Sequence, residues 1–188
     1  MSLSYTGEWN GIAWAVWKIE ESEEHLWKIA NIPPEEEKYL QQISHQRRRL
    51  ESIAARAARA CLPPGSFFSL SHSFPWAAAA TAPVRVGIDI ERFRPFPAQI
   101  WSYFTQDFER QTFEHSNFTK WHFWCAKEVS FKILRSKYDN ISFSRELVFD
   151  GERVIFKRGN EQRVVRLHFI QSPEWLMGLG IFEESAVD

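Results

Sequence analysis

The chain has 188 residues, 44% of them hydrophobic and 15% aromatic, which is enough apolar material to bury a core without disulfide or metal staples. That length suits one ordinary domain or two small joined lobes. A formal net charge of −1 excludes a global field drawing the molecule onto nucleic acid or an anionic membrane, so any anion recognition has to be local.

The first residues, MSLSYTGEWNGIAW, lack the basic start, apolar run and small-residue cleavage site of a secretory signal. Residues 9–19 (WNGIAWAVWKI) alternate in part and carry β-formers, which predicts a strand. A Glu-rich stretch follows, with a short helix over Ser22–Ala30 and Ser22 as its N-cap. Pro33 and Pro34 then open a long helix, because proline is tolerated in a first turn and Glu35–Glu37 suit the positive end of the helix dipole. It is predicted to run to Leu62 and stop at Pro63-Pro64-Gly65. Its second half, RRRLESIAARAARACL, combines a strong helix former with arginines on adjacent faces.

Ser66–Ser71 predicts a strand ending at His72-Ser73. Trp76–Thr81 is rich in alanine but too short and closely bounded for a helix, so it reads as strand, and Val84–Ile90 is a third strand after a turn at Ala82-Pro83. Arg92–Pro97, with two prolines, marks a junction between lobes. Helices are predicted over Ala98–Phe104 and Gln106–Glu114, and a stronger one from Thr119 to Arg135. Glu146–Phe149, Arg153–Lys157, Arg163–Gln171 and Trp175–Phe182, with turns at Asp150-Gly151 and Gly159-Asn160, predict an antiparallel meander. The order predicts an α+β chain of two halves, residues 1–84 and 85–188, each with helix packed on an antiparallel sheet. No apolar stretch reaches the length that crosses a bilayer. Cys61 and Cys125 make no disulfide framework, and a reduced compartment is the simpler reading, so a soluble cytoplasmic protein is expected.

Four segments carry chemistry. In Val86-Gly87-Ile88-Asp89-Ile90-Glu91, strand alternation sends Asp89 and Glu91 to one side and Ile88 and Ile90 to the other. Two carboxylates on one face repel unless a cation, proton or solvent lies between them, and Mg²⁺ suits a few carboxylates plus waters and substrate phosphates. A solvated strand edge is the bland reading. In the helical segment Trp124-Cys125-Ala126-Lys127-Glu128-Val129-Ser130-Phe131-Lys132, positions 124, 128 and 132 share one face. Glu128 and Lys132 form either an ordinary helix ion pair or a third metal carboxylate with a phosphate-binding ammonium. Ser69-Leu70-Ser71-His72-Ser73 offers hydroxyls and an imidazole in a loop after a strand, without the pattern of a P-loop. The arginine-rich helix, with Arg47, Arg48, Arg49, Arg56 and Arg59, is the fourth; guanidinium forks suit phosphate, and a charged solvent face is the alternative.

Together and in this order, these segments resemble the 4′-phosphopantetheinyl transferase superfamily in its two-lobed form. That family carries an arginine-bearing helix, then S-H-S, then G-I-D-I-E, and some forty residues later W-x-x-K-E-x-x-x-K. Here these are SLSHS, Gly87–Glu91 and Trp124–Lys132, with residues 90–127 between Asp89 and Glu128. The resemblance implies two similar lobes in a pseudo-twofold arrangement with the active site in the crevice between them. It implies that Asp89, Glu91 and Glu128 bind Mg²⁺, and that Glu128, directly or through a metal-bound water, or else Glu91, is the general base. Lys127 and Lys132 are implied to meet phosphate charge, Ser71 and His72 the nucleotide phosphates, and Arg49 and Arg56 the 3′-phosphate of coenzyme A. The implied reaction moves phosphopantetheine from coenzyme A to a serine of an apo acyl or peptidyl carrier protein, releasing adenosine 3′,5′-bisphosphate.

The implied carrier docking surface lies on the helices with Ile100, Trp101, Phe104 and Phe108, for which core packing is the alternative. A monomer suffices for such a site. Val129 stands where the family has Ser or Ala, a modest volume change. The family's Gly-Lys-Pro loop before S-H-S is absent, with only Pro63–Phe68 before Ser69, which implies a nucleotide pocket that is more open or completed by other residues. Two other readings are weighed. A metal-dependent nuclease commonly sets Glu-x-Lys on a strand, whereas Lys127-Glu128 falls on a helix and no basic stripe marks a nucleic-acid partner. A degenerate, non-catalytic relative has only the shortened loop in its favour, against three carboxylates and Lys132 in place.

Overall fold

A computed structural model describes residues 3–183. They divide into two units: the chain through Val84 with Ile90–Arg92, and Arg85–Asp89 with the chain from Phe93 onward. No helix among the described residues is long and apolar enough to cross a membrane. Cys61 is exposed and Cys125 is buried.

In the first unit, β1 (Leu3–Trp9) and β2 (Ile12–Lys18) pair antiparallel across Asn10-Gly11, whose positive φ values of 47° and 75° suit a hairpin turn that follows the strand twist. The strand expected over 9–19 is therefore the second arm of a hairpin, and Asn-Gly is the sequence signal for it. Helix α1 (Glu23–Ala30) begins where expected, with the Ser22 hydroxyl accepting from His25 N–H at 3.3 Å. The single long helix expected from Pro33 to Leu62 is two, α2 (Pro34–Gln41) and α3 (Gln46–Ala60). At the break, Arg49 donates to the Ile43 carbonyl at 2.9 Å and His45 Nδ1 caps the Arg48 N–H at 3.3 Å. Side chains from beyond the gap thus satisfy groups that continuous helix would have satisfied.

Strands β3 (Phe67–Ser73) and β4 (Trp76–Ala82) complete a sheet of order β1-β2-β4-β3. His72 and Ser73, expected beyond the strand, lie within it. β4 is buried along its whole length. Its register sets Ala77 beside Trp17 and His72, and Ala79 beside Ala15 and Leu70. That face packs on the alanines of α3, Ala54, Ala57 and Ala58 among them, and small side chains on both surfaces let helix and sheet approach closely.

The second unit is built on a sheet of order β5-β9-β8-β7-β6. Its strands are β5 (Val86–Arg92), of which Ile90–Arg92 count with the first unit, β6 (Leu147–Phe149), β7 (Arg153–Arg158), β8 (Glu161–Gln171) and β9 (Trp175–Phe182), with β6 to β9 forming the expected antiparallel meander. Helices α4 (Ala98–Phe104), α5 (Asp107–Glu114) and α6 (Lys120–Leu134) accompany it, and the α+β class is what the structure shows. Its core gathers Phe104, Phe123, Val129, Leu147, Phe149 and Phe156. Val129, fully buried, fits because β9 carries glycine opposite it. A Cβ on Gly180 would lie 2.6 Å from Val129 Cγ1, and one on Gly178 would lie 3.3 Å from Cγ2.

Candidate active site

Gly87 explains how β5 meets α6. A Cβ there would lie 2.4 Å from the Val129 carbonyl oxygen, so glycine is what lets strand and helix touch. Alternation turns Asp89 to the same side as Gly87. There Lys132 Nζ donates to Asp89 Oδ1 at 2.9 Å and to the Ile88 carbonyl at 2.7 Å. Asp89 is only 5% exposed. The bland reading of Lys132 as an intrahelical partner of Glu128 thus gives way to a bond between helix and strand.

Between Trp121 and Leu134, α6 is buried everywhere except at Trp124, Glu128, Phe131 and Lys132. These recur at helical spacing and form one partly open stripe. Trp124 and Glu128 line a groove of about 440 Å³ with Tyr103, Phe104, Ile141 and Phe143. Of the four residues expected on a docking surface, Trp101 and Phe104 belong to the core, as the alternative reading had it. Ile100 and Phe108 are exposed, and Tyr103, which sequence reasoning passed over, is 81% exposed.

Lys127 departs from its expected role. It is completely buried, and Nζ donates to the Phe104 carbonyl at 2.7 Å, to Glu109 Oε2 at 2.7 Å and to the Phe143 carbonyl at 2.9 Å. All three ammonium donors are taken, so no phosphate reaches it. Burial pulls the ammonium below its usual range, and the fully buried Glu109 opposes that pull.

The serines of β3 also act differently from expectation. Register places Ser69, Ser71 and Ser73 on the face of β3 opposite Leu70 and His72. The Ser71 hydroxyl accepts from Ile90 N–H at 3.2 Å, and the Ser73 hydroxyl accepts from Arg92 N–H at 3.1 Å while donating to Glu91 Oε2 at 2.9 Å. Ser71 therefore anchors the β5 backbone as an acceptor, and Ser73 holds the Glu91 carboxylate. On the other face, His72 Nδ1 lies 3.3 Å from Glu51 Oε2. Glu51 also accepts from Phe74 N–H at 3.1 Å. His72 borders a depression of about 370 Å³ with His45, Arg47, Arg48 and Glu51.

Arg49 and Arg56, expected at a phosphate, are held by carboxylates within their own unit. Arg49 bonds Glu23 at 2.7 Å, and Arg56 bonds Glu36, which also receives Arg59 at 3.1 Å. Arg47 and Arg48 are the helix arginines beside His72. Burial works to raise the Glu36 carboxyl, but Arg56 and Arg59 outweigh it and hold the group below its usual 4.5. In Glu51, burial likewise acts upward, and the bond from His72 with that from Phe74 N–H prevails. Lowered carboxylates contribute stability that is present above pH 4.5 and lost as pH falls through their folded values. Melting followed by circular dichroism is expected to show that loss. Glu36→Gln should cost on the order of 1 kcal/mol at neutral pH after allowance for water screening, and should flatten the acid limb.

Asp89 and Glu91 are hard oxygen donors on one strand face, a set that fits Mg²⁺, which takes one or two carboxylates and completes its octahedron with water and phosphate oxygens. Among the described residues, no group of three or more His, Cys, Asp or Glu is assembled to hold an ion on its own.

Residues 85–183 match the family described as the 4′-phosphopantetheinyl transferase superfamily. The chain is also similar to 4′-phosphopantetheinyl transferase psf-1 of Bacillus pumilus, with 29% identity over 123 residues, 62% of this chain and 53% of that protein. It spans about half the length of the curated relative it matches.

Proposed function

We propose the reaction from the family, for this chain belongs to the 4′-phosphopantetheinyl transferase superfamily. It transfers 4′-phosphopantetheine from coenzyme A to a serine of an apo acyl or peptidyl carrier protein. The observation that carries this reading is the stripe on α6, where Glu128 opens into the groove and Lys132 grips Asp89 of β5. The serine oxygen forms a bond to the phosphorus next to the pantetheine arm, the anhydride P–O bond breaks, and adenosine 3′,5′-bisphosphate leaves.

Glu128 accepts the serine proton, with Glu91 as the other candidate base. An ammonium has three donors, and Lys132 uses two on Asp89 and Ile88, which leaves one for a phosphate oxygen. Asp89 and Glu91 would hold Mg²⁺ together with water and substrate oxygens, and the bound ion would neutralise charge on the pyrophosphate. Arg47, Arg48 and His72 take the nucleotide phosphates in place of Arg49 and Arg56, because they border one depression. The exposed Ile100, Tyr103 and Phe108 form the apolar part of the carrier surface. A single chain supplies every residue named.

The test is to incubate the protein with apo carrier protein, coenzyme A and Mg²⁺ and to weigh the carrier by mass spectrometry. Mass gain by the phosphopantetheine arm is expected, and chelation of Mg²⁺ should stop it. Undiminished transfer in chelator would overturn the metal assignment. Coenzyme A binding without transfer to either carrier type would mark a non-catalytic relative.

A further inference from the structure

Lys127 precedes Glu128 on α6 but points into the core, and its three bonds go to particular places. The Phe104 carbonyl ends α4, and the Phe143 carbonyl lies in the segment before β6. Phe104 and Phe143 both line the groove into which Glu128 opens. The third partner, Glu109 of α5, binds Lys127 and Gln106 N–H through Oε2 and Phe149 N–H through Oε1. One ammonium thus holds both rims of the groove by their backbones, and one carboxylate ties that ammonium to α5 and β6.

A buried ion pair adds little or nothing to stability over apolar side chains of the same volume, because desolvating two charges offsets their attraction. Packing alone could therefore be met by Met and Leu. Neither can bind two carbonyls at a fixed distance.

We propose that Lys127 and Glu109 are positioning residues, which set the separation of the groove rims and so the placement of Glu128 against the acceptor hydroxyl. The inference rests on the transferase reading above. A displacement of about an ångström at a reacting centre can cost roughly a hundredfold in rate, so the effect belongs in kcat rather than in coenzyme A binding.

The experiment compares wild type with Lys127→Met/Glu109→Leu, which replaces the pair by apolar side chains of similar size. The double variant should melt at a lower temperature, because the Phe104 and Phe143 carbonyls and the Phe149 N–H lose their partners, should lose about 10- to 100-fold in kcat, and should keep KM for coenzyme A within about twofold. Hydrogen–deuterium exchange should show amides of residues 139–146 losing protection while those of β8 and β9 keep theirs. A stable double variant with wild-type kcat, or with unchanged protection at 139–146, overturns the proposal. If the double variant does not fold, Lys127→Met alone, which releases both rim carbonyls while Glu109 keeps its bonds from Gln106 and Phe149 N–H, carries the same two readouts. If wild type itself transfers nothing, the reaction reading has failed, and the exchange experiment still decides whether the pair holds the rims.

Discussion

Asparagine in place of Asp89 is expected to reduce phosphopantetheine transfer at least about 100-fold while leaving the fold in place. The side chain is nearly inaccessible, and its carboxylate is where β5 and α6 join through Lys132. Asparagine keeps the shape and an acceptor oxygen for the ammonium, which retains the Ile88 carbonyl as well. What it removes is the charge on which the proposed Mg²⁺ site relies. Alanine is the harsher change, because it strands a partly buried ammonium, at a cost of about 3 kcal/mol or more where such a pair is well enclosed. Lys132 keeps 17% of its side chain exposed, which moderates that figure. The measurement is the mass of the carrier after reaction, with circular dichroism confirming the fold. Transfer by Asp89→Asn at the wild-type rate would remove Asp89 from the mechanism.

The second large effect concerns Val129 and its glycines. Gly87→Ala and Gly180→Ala should each destabilise by about 1–3 kcal/mol, because both force a methyl into a space already filled. In a chain of this length that is roughly 2–12 °C in melting temperature. The two differ in what they strike. The methyl on residue 180 would meet a side-chain atom, Val129 Cγ1, at 2.6 Å, and the one on residue 87 would meet the Val129 main-chain oxygen at 2.4 Å. Val129→Ala removes the first obstacle and leaves the second. Thermal unfolding of the double variants should therefore show Gly180→Ala partly rescued by Val129→Ala, since Val165 Cγ1 and Leu167 Cδ2 stay at 3.0 and 3.1 Å, and Gly87→Ala not rescued. Equal rescue of both would mean that α6 shifts on the sheet rather than holding its place. Gly87→Ala should also depress transfer, since it separates Asp89 from Lys132.

Much of this could be read from residue spacing, because it is local. Alternation in Val86–Glu91 turns Gly87 and Asp89 to one side of β5, and a four-residue period aligns Trp124, Glu128 and Lys132 on α6. Capping by Ser22, a helix stop ahead of Pro63-Pro64-Gly65 and the meander of β6 to β9 also follow from chemistry within a few residues. Lone side chains with several possible partners were not legible in the same way. Arg49 and Arg56 suit phosphate by residue type, but Glu23 and Glu36, distant in sequence, hold them.

The sequence alone therefore set the family and the two motifs on which the proposed chemistry rests, the G-I-D-I-E strand and the W-x-x-K-E-x-x-x-K helix. It could do so because strand and helix periods depend only on nearest neighbours along the chain. Tertiary structure decided which charged groups remain available. It buried Lys127 among two carbonyls and Glu109, turned the β3 hydroxyls to the β5 backbone, and left Glu128 facing the groove. Those outcomes depend on desolvation and on partners distant in sequence, and neither is written in local spacing.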